Sequence, residues 1–211
     1  MAKSVELVFV VDESGSMYHL KGDTIGGLNS VLDDNRKGEG DVFVTLVTFS
    51  DEARIRLEHE PIANVEPFGD DDYSPSGCTA LLDAVGSTVK SLRRQHKRLP
   101  KDERPNTIVV IITDGEENAS RKFDNDKVKR LVEKRKRNGW EFIFLGANID
   151  AFAAASGIGI DASRASRYVS DQIGSVAAFS SVKHAMSSYR VSGEVSADWS
   201  AAAASDAEAR S

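Results

Sequence analysis

Five consecutive β-branched residues, Ile108-Val109-Val110-Ile111-Ile112, constrain this chain more than any other feature. The run has no polar alternation, so both of its faces must be buried. It is also far shorter than the roughly 20 apolar residues that span a bilayer. A strand covered on both faces belongs to a parallel sheet with helices on either side. Two more stretches have the same character: Val5-Glu6-Leu7-Val8-Phe9-Val10-Val11, and Phe142-Ile143-Phe144-Leu145.

Helical stripes separate these strands. Ile25, Leu28, Val31 and Leu32 recur at helical spacing, and Gly38 and Gly40 stop that helix. Residues 41–49 read as a second strand. Arg54-Ile55-Arg56-Leu57-Glu58 alternates charged and apolar, as a half-exposed edge strand does. Only a turn at Ser50-Asp51-Glu52 joins the two, so the third strand must run antiparallel to the second. Residues 61–78, with three prolines and two glycines, form a long irregular loop of the kind that is usually functional or disordered. Leu81, Leu82, Val85, Val89 and Leu92 mark the next helix, and Val128, Leu131 and Val132 the buried stripe of a basic one ending at Asn138-Gly139. A short helix over Asp150 to Ala155 and a last strand at Arg167-Tyr168-Val169 follow. Ile173, Val176, Phe179, Met186 and Tyr189 lie on the final helix. The expectation is an α/β domain over residues 1–190. Residues 191–211 are Ala/Ser-rich and aperiodic, which predicts a flexible tail in which Trp199 either anchors a partner or packs back.

The single cysteine, Cys78, cannot form an internal bridge and reads as a small packed thiol. The N-terminal stretch lacks the apolar core and cleavage site of a secretory leader, so a cytoplasmic location is expected. Net charge is −6, unevenly spread: residues 90–137 carry 16 Lys and Arg against 8 Asp and Glu. Mixed signs and few aromatics in that block favour solvated helix faces over a nucleic-acid surface.

Ligands of open parallel sheets sit beyond the carboxyl ends of the strands. Three loops reach that edge: Asp12-Glu13-Ser14-Gly15-Ser16, Ser76-Gly77-Cys78-Thr79 and Thr113-Asp114-Gly115-Glu116-Glu117. They bring small hydroxyls and two carboxylates, hard oxygen ligands that suit Mg²⁺. With only Asp12 and Asp114 as charges, an ion would stay net positive and favour an outside carboxylate as its last ligand. Taken alone, Asp12-x-Ser14-x-Ser16 is equally a helix N-cap, and Glu116 and Glu117 suit the first turn of a helix.

These residues closely resemble the von Willebrand factor type A family. Asp12-Glu13-Ser14-Gly15-Ser16 is similar to its Asp-x-Ser-x-Ser motif, Thr79 to its metal-site threonine and Asp114 to its distal aspartate. Thr48-Phe49-Ser50-Asp51 looks like its second-strand ending, and Phe144 to Phe152 looks like small prokaryotic and phage-borne members. The likeness covers residues 5 to about 190. It implies a Rossmann-like, doubly wound, six-stranded sheet in the order 3-2-1-4-5-6 with strand 3 antiparallel at the edge. It also implies a metal-ion-dependent adhesion site of Asp12, Ser14, Ser16, Thr79 and Asp114 holding Mg²⁺, with Mn²⁺ or Ca²⁺ as alternatives. A protein partner's Asp or Glu would complete the shell, across a rim of Glu13, Met17, His19, Asp71, Asp72 and Glu116. An AAA+ ATPase or an assembly component is the sort of partner the family implies, and no membrane or catalytic role follows.

Three other functions compete. A subunit of a virus particle or secretion apparatus would use the same surface. A nucleic-acid protein would use the basic helix from Lys127 to Arg137. A Mg²⁺-dependent phosphohydrolase would use Asp12 as nucleophile, but it needs a second Asp where Ser14 stands. Gly157-Ile158-Gly159-Ile160-Asp161-Ala162 has a dinucleotide-loop pattern in the wrong context, following a helix and preceding a strand, so it reads as a turn.

Overall fold

The computed structural model describes residues 4–210. Met1, Ala2 and Lys3, which begin the stretch read above as no leader, and Ser211 lie outside the described residues. Six strands form one sheet: β1 (Val5–Asp12), β2 (Val42–Phe49), β3 (Ala53–Pro61), β4 (Asn106–Thr113), β5 (Glu141–Gly146) and β6 (Ala165–Arg167). Their order is β3-β2-β1-β4-β5-β6, parallel throughout except for the β2–β3 pair. Strand β1 is buried along its whole length and pairs with both β2 and β4, so the order reverses beside it. The edge strand β3 keeps its charged residues in solvent and joins β2 through irregular register.

Six helices cover the sheet: α1 (Lys21–Arg36), α2 (Leu81–His96), α3 (Asn125–Lys136), α4 (Ala151–Gly157), α5 (Gln172–Ser192) and α6 (Ala201–Ala209). Alternation along the strands divides the interior into two cores. Leu7, Phe9, Val11, Ile108 and Val110 pack with Leu28 and Val31 of α1 and Phe179, Val182 and Met186 of α5. Val8, Val10, Val109 and Ile111 pack with Val85 and Val89 of α2 and Val128 and Val132 of α3. Gly27 lets α1 and α5 approach, because a Cβ there would fall 2.1 Å from the Phe179 ring.

Some expectations need correction. The last strand lies at Ala165–Arg167, two residues earlier than its apolar Tyr168-Val169 pair indicates. Ile173 and Val176 are on α5 but stand exposed. The segment after residue 191 is packed rather than loose. Trp199 is among the largest fully buried side chains, and its Nε1–H donates to the Ser163 carbonyl at 2.9 Å. Ala203 and Ala207 bury the inner face of α6, and Arg210 pairs with Asp171 at the start of α5. Alanines give no periodic apolar signal, yet their small size lets a helix lie flush on α5, and one tryptophan supplies the burial that composition lacked. No helix among the described residues is long and apolar enough to cross a membrane.

Candidate metal centre

The C-terminal edge of β1 turns sharply into a 3-10 turn over Gly15–Leu20. The Ser14 side chain makes no capping bond there, so the helix-cap alternative fails at this motif. Instead Asp12 organises the loop. Its Oδ1 accepts the Ser14 N–H at 2.7 Å, and its Oδ2 accepts the Thr113 hydroxyl at 2.5 Å. The Tyr73 hydroxyl donates to the Asp12 carbonyl, which pins the long loop against β1. The Gly15 N–H bonds to the Gly77 carbonyl at 3.1 Å and the Ser76 N–H to the Glu13 carbonyl at 2.9 Å, drawing the Thr79 loop alongside.

Thr79 is buried, and its N–H donates to Asn118 Oδ1 at 2.9 Å. The Ser16 hydroxyl donates to Asp114 Oδ1 at 2.5 Å, and Ser14 Oγ lies 3.1 Å from Ser16 Oγ. Gly115 shows the convergence most directly. A Cβ on it would meet Thr79 Oγ1 at 2.9 Å, Ser16 Oγ at 3.6 Å and Asp12 Oδ2 at 3.8 Å. Oxygens from the first two loops therefore converge on one small space at Gly115 of the third, which a larger side chain there would fill.

The charges in this space are compensated only in part. Burial pushes the Asp12 carboxyl up to about 6, against the opposing pull of its hydrogen bonds from Ser14 and Thr113. Burial also raises Asp114, and its Oδ2 is buried with no hydrogen-bond partner. Neighbouring Tyr73 and Tyr168 are themselves held well above the ordinary tyrosine range by burial and then by the aspartates. Among the described residues neither Asp12 nor Asp114 is in an ion pair, and the charge of nearby His19 opposes the rise at Asp114 without cancelling it. Nor is any group of three or more His, Cys, Asp or Glu side chains among them placed to hold a metal ion by itself. Two carboxylates and three hydroxyls, with an orphaned buried oxygen, have the composition that a hard divalent cation takes.

The rim differs from expectation in two places. Glu13 is buried, not presented: it accepts both 3.0 Å bonds from Arg56 Nη2 and a 2.6 Å bond from the Ser74 N–H. Met17 is in the core. Their positions beside the motif put them on its inward side. His19 is exposed, with Nδ1 2.8 Å from the Ser16 carbonyl and Nε2 3.1 Å from the Ser170 hydroxyl, tying the site to the segment before α5. Asp71, Asp72 and Glu116 are exposed, although Asp72 Oδ2 also accepts the Gly69 N–H at 2.7 Å. Glu117 is not in the first turn of a helix. It accepts N–H bonds from Leu82, Ala119 and Ser120, capping α2 from outside. Cys78 is exposed rather than packed, and the Asp51 carboxylate raises its thiol.

Comparison with known proteins gives the family. The von Willebrand factor type A domain model matches residues 6–181. The chain belongs to the von Willebrand factor type A family. No curated protein matches it in sequence. Among solved structures it is similar to proximal thread matrix protein 1 from the mussel byssus, at 16% identity and a TM-score of 0.64 over 86% of this chain and 46% of that one. A second crystal structure of that protein has a zinc-occupied metal-ion-dependent adhesion motif, at 18% identity and a TM-score of 0.55, covering 81% and 42%. The manganese-loaded TRAP protein of Plasmodium vivax is 15% identical with a TM-score of 0.54, covering 83% of this chain and 71% of that one. This type A domain thus spans less than half the length of the mussel proteins it resembles.

Proposed function

We propose that this type A domain is a metal-dependent protein-interaction module without catalysis. Asp12, Ser14, Ser16, Thr79 and Asp114 would hold one divalent cation, Mg²⁺ first, with Mn²⁺ or Ca²⁺ able to replace it. The observation that carries this reading is the space beside Gly115, faced by oxygens of Asp12, Ser16 and Thr79, with Asp114 bonded to the same Ser16 and its own Oδ2 unpartnered among the described residues. A bound cation supplies residual positive charge for an acidic side chain of the partner. Thr113 and the Ser14 N–H hold Asp12 in place, Asn118 holds Thr79, and Ser16 holds Asp114. The zinc and manganese reported for two similar structures support a divalent ion here.

The surroundings favour docking over chemistry. Tyr18, Ile173 and Val176 are exposed large hydrophobics on the two segments that His19 ties together. Ser14 occupies the position where a phosphohydrolase would need its second Asp. With one exposed cysteine, we place the protein in the reducing cytoplasm.

The test is capture of partners from the native host in Mg²⁺, in EDTA, and with Asp114→Ala. Proteins retained only by wild type in Mg²⁺ support the reading. The same proteins in all three conditions would contradict it.

A further inference from the structure

The opposite edge of the sheet holds a second concavity, of about 500 Å³, between the C-terminal ends of α2 and α3 and the chain entering β4 and β5. Arg93, Lys97, Lys101, Arg104, Lys134 and Arg135 line it, and no Asp or Glu does. Among the described residues none of these six is in an ion pair, although ion pairs are common elsewhere on the surface. Arg104 donates only to the Leu99 carbonyl, and Arg135 lies over the Trp140 ring at 5.9 Å. Cations at helix C-termini are stabilised by the helix dipole, which accounts for some of them. It does not account for six converging from two helices and a turn, nor for His96. That side chain, 6% exposed, also lines the concavity, and its buried Nε2 has no hydrogen-bond partner.

We propose that this concavity binds a compact oligophosphate anion, independently of the metal centre. Arginine forks match phosphate oxygens, and lysines add charge without demanding geometry. The cations are gathered around a hollow rather than drawn out in a stripe, which fits a small anion better than a strand. Trp140 is buried edge-on to His96, at 5.2 Å, and offers no free face for a base to stack on. The cluster is already strained by its own charge. Burial lowers Arg135 and Arg93 adds to this. Burial likewise lowers His96, Arg104, Arg135 and His59 push the same way, and only Glu6 opposes them.

The test is calorimetric titration of the intact chain with inorganic tripolyphosphate, in EDTA and physiological salt. EDTA keeps the metal centre out of the readout. Saturable one-to-one binding is expected, weakened at least tenfold by Lys97→Glu with Lys134→Glu, both exposed positions that the fold does not need. His96→Gln should weaken it by a smaller factor. Circular dichroism confirms that the variants fold. Three results would overturn the proposal: no saturation, sulfate binding as tightly at matched ionic strength, or tighter binding of a single-stranded oligonucleotide that tripolyphosphate fails to displace.

Discussion

The two edges of the sheet handle charge in opposite ways. At the C-terminal edge, two carboxylates are buried with hydroxyls, and among the described residues neither is in an ion pair. At the N-terminal edge, six cations line a hollow that no Asp or Glu lines, and among the described residues none of the six is in an ion pair. In each case a buried polar atom is left unpartnered, Asp114 Oδ2 at one end and His96 Nε2 at the other. Unsatisfied buried groups cost about 1–3 kcal/mol each, a cost that a ligand at either edge would offset. A net charge of −6 hides this polarity. What matters is that the fold separates the signs across the length of the strands.

The strongest way to break the comparison is to cross the variants. Asp12→Asn is expected to abolish divalent-ion binding yet alter tripolyphosphate affinity less than twofold. The Lys97→Glu, Lys134→Glu pair is expected to do the reverse, read by calorimetry with each ligand. Coupled losses would show that the edges are not independent.

Gly115→Ala sharpens the account of the metal edge alone. Its Cβ would lie 2.9 Å from Thr79 Oγ1, so the ring of oxygens must open. Ion affinity should fall about tenfold, equivalent to about 1.4 kcal/mol, with the thermal midpoint little changed. Asn118→Ala should act more gently. Losing the bond to the Thr79 N–H costs about 1 kcal/mol of stability and a few-fold in ion affinity, measured by denaturant unfolding and titration.

The smallest effect concerns how the basic edge treats its own carboxylate. Glu6 is fully buried near the start of β1, where it accepts the Thr45 hydroxyl at 2.6 Å and pairs with His59. The bond to Glu6 raises His59 above the ordinary histidine value of 6.5, although partial burial opposes this. A raised folded-state value means that the protonated ring stabilises the fold. That contribution is complete below pH 6.5 and is lost as pH rises through the folded-state value. Unfolding free energy should therefore decline from pH 6 towards pH 8.5. His59→Asn should flatten the decline, and Asn suits the left-handed backbone at that position, where φ is 52°.

Much of the fold was legible because its central strands leave no choice of face. An eight-residue strand buried on both sides can only be a parallel strand between helices, and β1 and β4 both read that way. The metal-edge loops were legible because each follows such a strand or a turn-rich loop, and topology brings them to one edge. What escaped was whatever depends on partners distant in sequence. Glu13 and Met17 sit beside motif residues, but Arg56 and the core claim them. Asn118 stands in none of the metal-site motifs read from the sequence, although it positions Thr79. The basic block read as solvated faces because a linear sequence does not show that α2 and α3 end side by side. The C-terminal segment escaped because alanine packing leaves no periodic trace.

One measurement decides directly whether the oxygens around Gly115 form one cation site. Electron paramagnetic resonance of Mn²⁺ counts free ion directly. Titrating it against the wild-type chain should show one bound ion per chain, displaced by Mg²⁺ and absent in Asp114→Ala. Wild-type-like binding by Asp114→Ala, or no bound ion in the wild type, would contradict the account.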